Sequence, residues 1–166
     1  MIIQKNNPVL KETAKEVRDC NSSKIKDLIK KMAAAMFEEP DGIGIAAPQI
    51  EVSLRIFLVS EDVLCIADGV PLAPPKDRHK GYVVFINPVF KKLSVKKTKD
   101  MEGCLSVRGV YGEVTRAEKV TVEYLDEKGK KHQRGASNLF ARVLQHEMDH
   151  LNGTLFIDKA KNIKKL

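Results

Sequence analysis

The length, composition and charge of the chain exclude several classes of protein. Its 166 residues, 43% hydrophobic and 31% charged, are typical of a soluble globular protein and predict a single domain over residues 1–166. No run of about 18 apolar residues occurs, so neither a signal peptide nor a membrane span is predicted, and a cytoplasmic location is expected. Three widely spaced cysteines, Cys20, Cys65 and Cys104, argue against a disulfide framework and for reduced thiols.

The basic charge is concentrated in two lysine-rich stretches. With 29 Lys and Arg against 22 Asp and Glu the formal charge is +7, and "KKLSVKKTK" and "KAKNIKKL" carry much of it. A solvated lysine-rich surface is the simplest interpretation, and a polyanionic partner such as RNA is the alternative. Because the chain has no Trp and no basic patch interleaved with aromatic residues, stacking on nucleic-acid bases has little support, and neither a DNA nor a membrane partner is predicted.

The N-terminal half predicts a helix followed by short strands. Ser22 or Ser23 caps a helix whose apolar residues recur at helical spacing up to about Phe37. The apolar runs "LRIFLVS" and "VLCIA" predict strands. Residues 68–81, which are rich in Pro and Gly, predict a flexible surface loop, after which "YVVFINP" resumes the sheet.

The C-terminal half predicts a hairpin and a second helix. The segment "KVTVEYLDEKGKKHQ" alternates apolar and polar residues and turns near Gly129, which is typical of half-buried antiparallel strands. Ser137 or Asn138 then caps the second helix. The pair Asn152 and Gly153 suits its C-terminal end. Two helices among several short strands, without regular alternation of strand and helix, indicate an α+β fold with a mainly antiparallel sheet.

The stretch "GIGIAAPQI" contains a weak match to a phosphate-binding loop. Gly42, Gly44 and Ala47 fit the glycine spacing of dinucleotide-binding sites. Such a loop requires a strand before it and a helix after it, whereas here a predicted helix precedes it and Pro48 interrupts the segment after it. The spacing alone therefore does not predict a nucleotide site.

The second predicted helix carries "QHEMDH", whose spacing is typical of a hydrolytic metal site. Four residues advance a helix by slightly more than one turn, so His146 and His150 project from one face, about 5–6 Å apart at Cβ. Glu147 stands beside the first histidine, where it can accept a proton from a metal-bound water. Asp149 points away from this face and is interpreted as a supporting or structural carboxylate.

A catalytic metal site of this kind needs a third protein ligand and one open position. The extended endopeptidase pattern H-E-x-x-H-x-x-G-x-x-H is absent, which disfavours an endopeptidase, and Asp158 is the only acidic residue after His150. The third ligand is therefore expected upstream. The candidates are Cys20, Cys65, Cys104, His79, His132 and several acidic residues. Cys104 is distinguished by its neighbour Gly103, which permits close backbone approach, but spacing alone leaves the others open.

Three stretches, "GIGIAAPQ", "EGCLS" and "QHEMDH", resemble the three motifs of the peptide deformylases in content, order and interval. The segment "RAEKV" at residues 116–120 also fits that family, and the resemblance covers nearly the whole chain. It implies an α+β fold in which mainly antiparallel sheets pack around a central metal-binding helix, with a further N-terminal helix. It also implies removal of the formyl group from N-formylmethionine on nascent peptides, with release of formate.

The resemblance implies a metal cofactor. By matching position, Cys104, His146 and His150 would be its ligands. One thiolate and two imidazoles suit Zn or Fe, and the ligand types do not choose between them. The family resemblance implies one divalent ion, natively Fe(II), with Zn, Ni or Co also able to occupy the site.

The resemblance further implies catalytic and substrate-binding roles. Glu147 would act as general base and general acid. The Gln49 side chain and the Leu105 backbone N–H would stabilise the oxyanion. The substrate is expected to contact Ile43, Gly44, Gly103, Leu139 and Val143. Gly42 and Gly44 are expected to leave the backbone bare enough for an extended peptide to hydrogen-bond beside it.

Two arginines bear on substrate preference. Arg108 stands where family members often have proline, so the rim near Tyr111 is expected to differ. Arg142 precedes His146 by one turn, and its long side chain is expected to border the methionine pocket beside Leu139.

Two partner predictions accompany the deformylase interpretation, namely N-formylmethionyl peptides as substrate and a transient contact with the ribosome through the lysine-rich C-terminal segment. The alternative is a catalytically inactive metal-binding homologue that serves as a ribosome- or RNA-associated module. Glu147 and Gln49 weigh against that alternative, because a structural metal site needs neither residue.

Overall fold

The structure, a computed structural model, describes residues 1–64, 66 and 71–166. Its helices are α1 (Ser23–Glu38), α2 (Glu61–Leu64) and α3 (Asn138–Leu151). Its strands are β1 (Gly44–Ala46), β2 (Ile56–Ser60), β3 (Tyr82–Leu93), β4 (Lys97–Cys104), β5 (Val107–Ala117), β6 (Lys119–Leu125), β7 (Lys131–Ser137) and β8 (Lys161–Lys165). Among the described residues, no helix is long and apolar enough to span a membrane.

Within the described residues the strands form two antiparallel sheets. The larger sheet has the order β1-β2-β3-β6-β7, and the smaller has the order β4-β5-β8. Strand β1 lies at one edge of the larger sheet and β8 at one edge of the smaller. The predicted α+β fold with mainly antiparallel sheets is confirmed.

Helix α3 is the central element of the fold. Leu144 and Leu151 are fully buried in a hydrophobic cluster with Phe57 of β2. From another side of the helix, Arg142 donates a hydrogen bond to the carbonyl oxygen of Val114 in β5 at 2.9 Å. The helix therefore packs against both sheets, and its polar residues lie where the sheets meet.

Helix α1 forms as the sequence predicts. The side chain of Ser22 accepts a hydrogen bond from the backbone N–H of Ile25, and the helix ends at Glu38. Its apolar face is buried against β1 and β2, and it consists of Ile25, Leu28, Ile29, Met32, Ala35 and Met36. This packing holds the edge strand β1 in place.

The predicted hairpin is confirmed as β6 and β7. The two strands pair in register from Lys119 opposite Ser137 to Leu125 opposite Lys131. At the turn, the side chain of Asp126 accepts two backbone hydrogen bonds, and glycine suits the left-handed φ of 79° that follows at residue 129.

The prediction of a strand for "VLCIA" is wrong. Residues Glu61–Leu64 form the single helical turn α2, and Cys65 lies outside the described residues. Strand β2 ends at Ser60, whose partner Tyr82 is the first residue of β3, so the sheet offers no further partner at this point. The periodicity of a short apolar run does not distinguish a strand from a helical turn.

Strand β3 continues past the predicted end at Pro88 to Leu93. The pairing with β6 is irregular between Ile86 and Val89, and proline is tolerated at such a bulge because no ladder N–H is required there. The loop predicted for residues 68–81 begins outside the described residues. Its described part, 71–81, contains a short 3₁₀ turn at Pro75–Asp77, and its flexibility stays a prediction.

The lysine-rich C-terminal segment is a strand, which was not predicted from the sequence. Strand β8 pairs with β5, with Lys164 opposite Tyr111 and Lys165 opposite Val110. All five residues of β8 are exposed. Its structure therefore comes from pairing with a neighbour rather than from burial of its own side chains.

Candidate metal centre

Three side chains from α3 and β4 converge at one point. His146 and His150 lie one turn apart on α3, with ring centroids separated by 5.1 Å. Cys104 is the last residue of β4, and its Sγ lies 3.3 Å from Nε2 of His150. The potential ligand atoms of the three residues all lie within 4.8 Å of one another. Metal–ligand bonds of about 2.0–2.3 Å from a single ion are compatible with this spacing.

The local structure of β4 directs two functional side chains towards α3. Glu102 and Cys104 are two residues apart, and alternate residues of a strand share a face. The pairing of β4 with β5 is irregular between these residues, and Cys104 pairs with Val107 across a tight turn. Both side chains consequently contact histidines of the same helix.

Glu102 is buried and contacts the Nδ1 atom of His146. Its Oε2 lies 3.0 Å from Nδ1 of His146, and Arg116 donates two hydrogen bonds to the carboxylate, at 2.7 and 2.9 Å. Burial by itself favours the neutral carboxyl group, but the hydrogen bonds from Arg116 and His146 outweigh it and hold the pKa of Glu102 well below its ordinary value. A carboxylate in this position fixes the orientation of a metal-binding imidazole.

The roles of Glu102 and Arg116 were not predicted from the sequence. A usable signal was present, because Glu102 precedes Cys104 by two residues and a strand would place both on one face. Arg116 also donates a hydrogen bond of 2.8 Å to Asp149, so the carboxylate that was interpreted as supporting or structural belongs to the same buried network.

Gln49 lies beside Cys104 with its amide group held in one orientation. Its Oε1 accepts a hydrogen bond from the backbone N–H of Ala46 at 2.9 Å, which leaves Nε2 as the donor. That nitrogen lies 3.1 Å from Oγ of Ser106 and 3.7 Å from Sγ of Cys104. Leu105, the residue after the cysteine, lines the same cavity.

The carboxyl group of Glu147 is buried beside these residues. Glu147 is 4% exposed, and its Oε2 has no hydrogen-bond partner among the described residues. Burial raises the pKa of Glu147 to about 7, against the lowering effect of the neighbouring His146. The group can therefore take up and release a proton near neutral pH.

A cavity of about 210 Å³ opens over these side chains. Its lining includes Gln49, Cys104, Leu105, His146 and Glu147, together with the predicted substrate-binding residues Ile43, Gly44, Gly103, Leu139 and Val143. A larger cavity of about 850 Å³ shares only Leu139 with this one and contains no residue of the Cys/His group. The smaller cavity is the one that combines ligands, a proton acceptor and apolar walls.

Comparison with known proteins decides the family of the chain. The sequence profile described as Polypeptide deformylase matches residues 1–166. The peptide deformylase of Pelotomaculum thermopropionicum is 43% identical over 165 residues, which is 99% of this chain and 94% of that protein. The chain belongs to the polypeptide deformylase family.

Solved structures of peptide deformylases also share the fold. That of Plasmodium falciparum has a TM-score of 0.84 at 36% identity and covers 98% of this chain and 87% of its own. That of Thermotoga maritima has a TM-score of 0.83 at 32% identity and covers 97% of each chain. Peptide deformylases are metalloenzymes, and the Cys/His group of this chain is suited to a metal ion.

The two arginines singled out in the sequence occupy different positions at this deformylase site. The guanidinium group of Arg142 donates to the carboxylate of Glu102 at 2.8 Å and to the backbone oxygen of Thr98 at 3.0 Å, because a buried cation requires such partners. Its side chain also lines the cavity beside Leu139, as expected from the sequence. Arg108 is exposed and forms an ion pair with Glu39.

The other candidates for a third ligand lie apart from the Cys/His group of the deformylase site. Cys20 is buried in the cluster around α1. His132 lies 2.7 Å from a carboxylate oxygen of Asp126 in the hairpin. Among the described residues neither these two nor His79 join the Cys/His group, and Cys65 lies outside the described part of the chain.

Contacts within the protein give a second reason for glycine at positions 42 and 44, and the expected backbone contact with a peptide stays a prediction. A Cβ atom at Gly42 would lie 2.0 Å from the carbonyl oxygen of Met36, so this glycine is required by contact with the end of α1. A Cβ atom at Gly44 would lie 2.6 Å from Oε1 of Glu147 and 3.1 Å from Cγ1 of Val143. Each glycine therefore also allows close packing within the protein, and Gly44 leaves room for the carboxyl group of Glu147.

Replacing Gly44 by alanine is expected to lower kcat/KM for a formylated dipeptide by about tenfold or more. The new methyl group displaces the Glu147 carboxyl in a packed site, where overpacking costs about 1–3 kcal/mol. Gly135→Ala in β7 is the matched control, because its Cβ would meet nothing within 4 Å. Measuring kcat/KM for both variants checks this expected loss. Equal kcat/KM for Gly44→Ala and the control would contradict it.

Proposed function

We propose that this protein is a metal-dependent hydrolase that removes the formyl group from the N-terminal formylmethionine of nascent polypeptides and releases formate. The observation that carries the proposal is the meeting of Cys104, His146 and His150 with the buried carboxyl group of Glu147 at one cavity. Residues 1–166 act as a single catalytic domain. The packing of α3 against strands of both sheets supports this, because α3 carries three of these four side chains.

Cys104, His146 and His150 would hold the metal ion, with Glu102 orienting His146. A bound divalent metal supplies Lewis-acid polarisation of the formyl carbonyl and lowers the pKa of water in the site. The donor set supports such an ion, since a thiolate and two imidazoles are ligands that Fe, Zn, Co and Ni accept.

Glu147 moves the protons of the reaction. Its Oε2, which has no hydrogen-bond partner among the described residues, accepts a proton from the attacking water. The same carboxyl group then donates a proton to the departing α-amine, which is otherwise a poor leaving group. Burial raises the pKa of Glu147 above that of an ordinary carboxyl group, which favours its acting as an acid as well as a base.

Gln49 and Leu105 stabilise the negative charge that develops on the formyl oxygen. The hydrogen bond from Ala46 fixes the Gln49 amide so that its Nε2 group donates towards the site. The backbone N–H of Leu105 provides a second donor. Each donor of this kind commonly contributes about 10²–10³ in rate.

The walls of the cavity bind the rest of the substrate. Ile43, Leu139 and Val143 provide an apolar surface for the methionine side chain. Gly44 belongs to the edge strand β1, and Gly103 lies at the interruption of the β4–β5 pairing, so both offer backbone to an extended peptide.

The proposed function is tested by measuring the formate that the purified, ferrous-loaded protein releases. Formyl-Met-Ala is expected to be hydrolysed, while acetyl-Met-Ala and an internal peptide of the same sequence are left intact. A protein that retains metal and releases no formate would instead support the inactive ribosome- or RNA-associated module. Cleavage of the internal peptide bond would identify an endopeptidase.

Fe(II) is the native metal in this proposal. The resemblance to the deformylase family supports iron, and thiolate ligation makes a ferrous site sensitive to oxidation. Elemental analysis of protein purified without oxygen is expected to find about one iron per chain. Zinc in that position, with full activity and no loss in air, would contradict the assignment.

The basic strand β8 docks the protein transiently on the ribosome in this proposal. Its exposed Lys161, Lys164 and Lys165 place three positive charges on one edge strand, which suits ribosomal RNA. Replacing all three by glutamate is expected to lower the amount of protein that pellets with ribosomes at low salt. The matched control changes three exposed lysines of α1 to glutamate, at positions 26, 30 and 31. Equal pelleting of the two variants would exclude β8 as the docking site.

A further inference from the structure

The N-terminal segment, residues 2–5, lies between two parts of the hydrophobic core. Ile2 is buried in the cluster around α1, which also contains Ile45 of β1. The next residue, Ile3, packs instead against the cluster that contains Val107 and Val114 of β5. Adjacent side chains of the segment therefore contact the side of the core that belongs to the larger sheet and the side that belongs to the smaller sheet.

Backbone hydrogen bonds join the N-terminal segment to two separate parts of the chain beside the metal-binding cavity. The N–H of Ile3 donates to the carbonyl oxygen of Gln49, in the 3₁₀ turn Ala47–Ile50, at 2.9 Å. The N–H of Lys5 donates to the carbonyl oxygen of Ser106, in the turn between β4 and β5, at 2.8 Å. Two donors that are two residues apart thus hold two turns that are distant in the chain.

Side-chain hydrogen bonds reach the residues that the proposed function assigns to the oxyanion. Nε2 of Gln4 donates to the carbonyl oxygen of Leu105 at 3.1 Å. Nε2 of Gln49 donates to Oγ of Ser106 at 3.1 Å, and both of these residues are buried. The Gln49 amide and the turn at residues 105–106 are therefore joined directly by one hydrogen bond and indirectly through the N-terminal segment.

We propose that the N-terminal segment positions the two oxyanion donors relative to each other, with Ile3 holding Gln49 and with Gln4 and Lys5 holding the turn that contains Leu105. The inference rests on the proposed deformylase function. Oxyanion donors act only when they are held within hydrogen-bond distance of the developing charge. A misplacement of about 1 Å can lower the rate by about 10²-fold. Because chain termini are poorly ordered unless they are tied down, these hydrogen bonds decide whether the segment can fulfil this role.

Lys5→Pro removes one of these hydrogen bonds with little change to the local backbone. The N–H of Asn7 donates to the carbonyl oxygen of Gln4 at 2.9 Å, so residues 4–7 form a turn in which Lys5 is the second residue. Neither Lys5 nor Asn6 has a positive φ. Proline is favoured at the second position of such a turn and has no N–H to donate. Lys5→Ala is the matched control, because it shortens an exposed side chain and keeps the N–H.

Gln4→Met removes a second hydrogen bond, since methionine keeps the length of the side chain without its donor. Gln133→Met is the matched control, because Gln133 is an exposed residue of β7 outside the metal-binding cavity. Gln4→Met and Lys5→Pro are each expected to lower kcat for formyl-Met-Ala by about threefold to tenfold, and together by about tenfold to thirtyfold. KM and bound metal are expected to stay unchanged, because the donors act on charge that develops in the transition state.

Repeating the combined change in a Gln49→Met protein separates positioning from a general loss of structure. Once the Gln49 amide is absent its position no longer matters, so Gln4→Met with Lys5→Pro is expected to lower kcat by less than about threefold there. A second measurement needs no substrate. The side-chain amide protons of Gln49 are expected to exchange with solvent about tenfold faster in the combined variant than in Lys5→Ala.

Three results would overturn this inference alone, provided that the unchanged protein releases formate. They are an equal kcat for Lys5→Pro and Lys5→Ala, an undiminished loss of kcat in the Gln49→Met protein, and unchanged exchange of the Gln49 amide protons in the combined variant. Absence of formate release by the unchanged, metal-loaded protein would overturn the proposed function and the inference with it.

Discussion

Replacing Glu147 by glutamine is expected to lower kcat for formyl-Met-Ala by about 10²–10⁴ while the protein still binds its metal. The amide keeps the size of the carboxyl group but cannot take a proton from water or donate one to the leaving amine. Because Glu147 lies between the ligand histidines in sequence and is not a member of the Cys/His group, its loss removes proton transfer without removing a ligand.

Formate release and bound metal are measured on the same preparation of the Glu147→Gln variant. Glu127→Gln is the control, because Glu127 is an exposed residue of the hairpin turn and lies outside the cavity. It is expected to behave as the unchanged protein does. A Glu147→Gln variant with full metal and a kcat within threefold of the control would rule out proton transfer by Glu147.

Replacing Arg116 by methionine is expected to lower the free energy of unfolding by about 3–5 kcal/mol. Arg116 is 4% exposed and pairs with Glu102 and Asp149, so methionine removes from each of these largely buried carboxylates its most deeply buried cationic partner. Glu102 then holds His146 less firmly, and metal affinity is expected to fall about 10–100-fold.

Urea unfolding of the metal-loaded protein measures the loss in the free energy of unfolding, and metal titration measures the loss in metal affinity. Lys159→Met is the matched control, because Lys159 also pairs with Asp149, at 2.7 Å, but its side chain is 47% exposed. Exposed pairs are worth about 0–1 kcal/mol. If the two variants lose the same stability, the buried network does not hold the site together.

Local patterns account for the parts of the fold that were predicted correctly. Helix α1 and the β6–β7 hairpin follow from spacing and turn residues that lie within a few positions of one another. A local pattern fails where the same segment is compatible with both a strand and a helical turn. The run "VLCIA" is apolar enough for a strand, but β2 has no further partner after Ser60, and a helical turn forms instead.

The candidate site likewise contains residues that local spacing places correctly and residues that only tertiary packing brings together. Helical spacing places His146, Glu147 and His150 together whatever the rest of the fold does. Cys104 was one of several possible ligands from spacing alone, and the resemblance to the deformylases singled it out. Its approach to His150 depends on how β4 packs against α3, and the contact spans 46 positions in the chain.

By itself, the sequence determined the family, the helix that bears two histidines and a glutamate, and the order of the motifs, because these depend on residue identity and short-range spacing. Only the tertiary structure decided the partners of the buried charges. Glu102 meets Arg142 and His146 across 40 and 44 positions, and Gln49 meets Ser106 across 57. Such contacts follow from the packing of two sheets around one helix, and no local pattern in the chain specifies them.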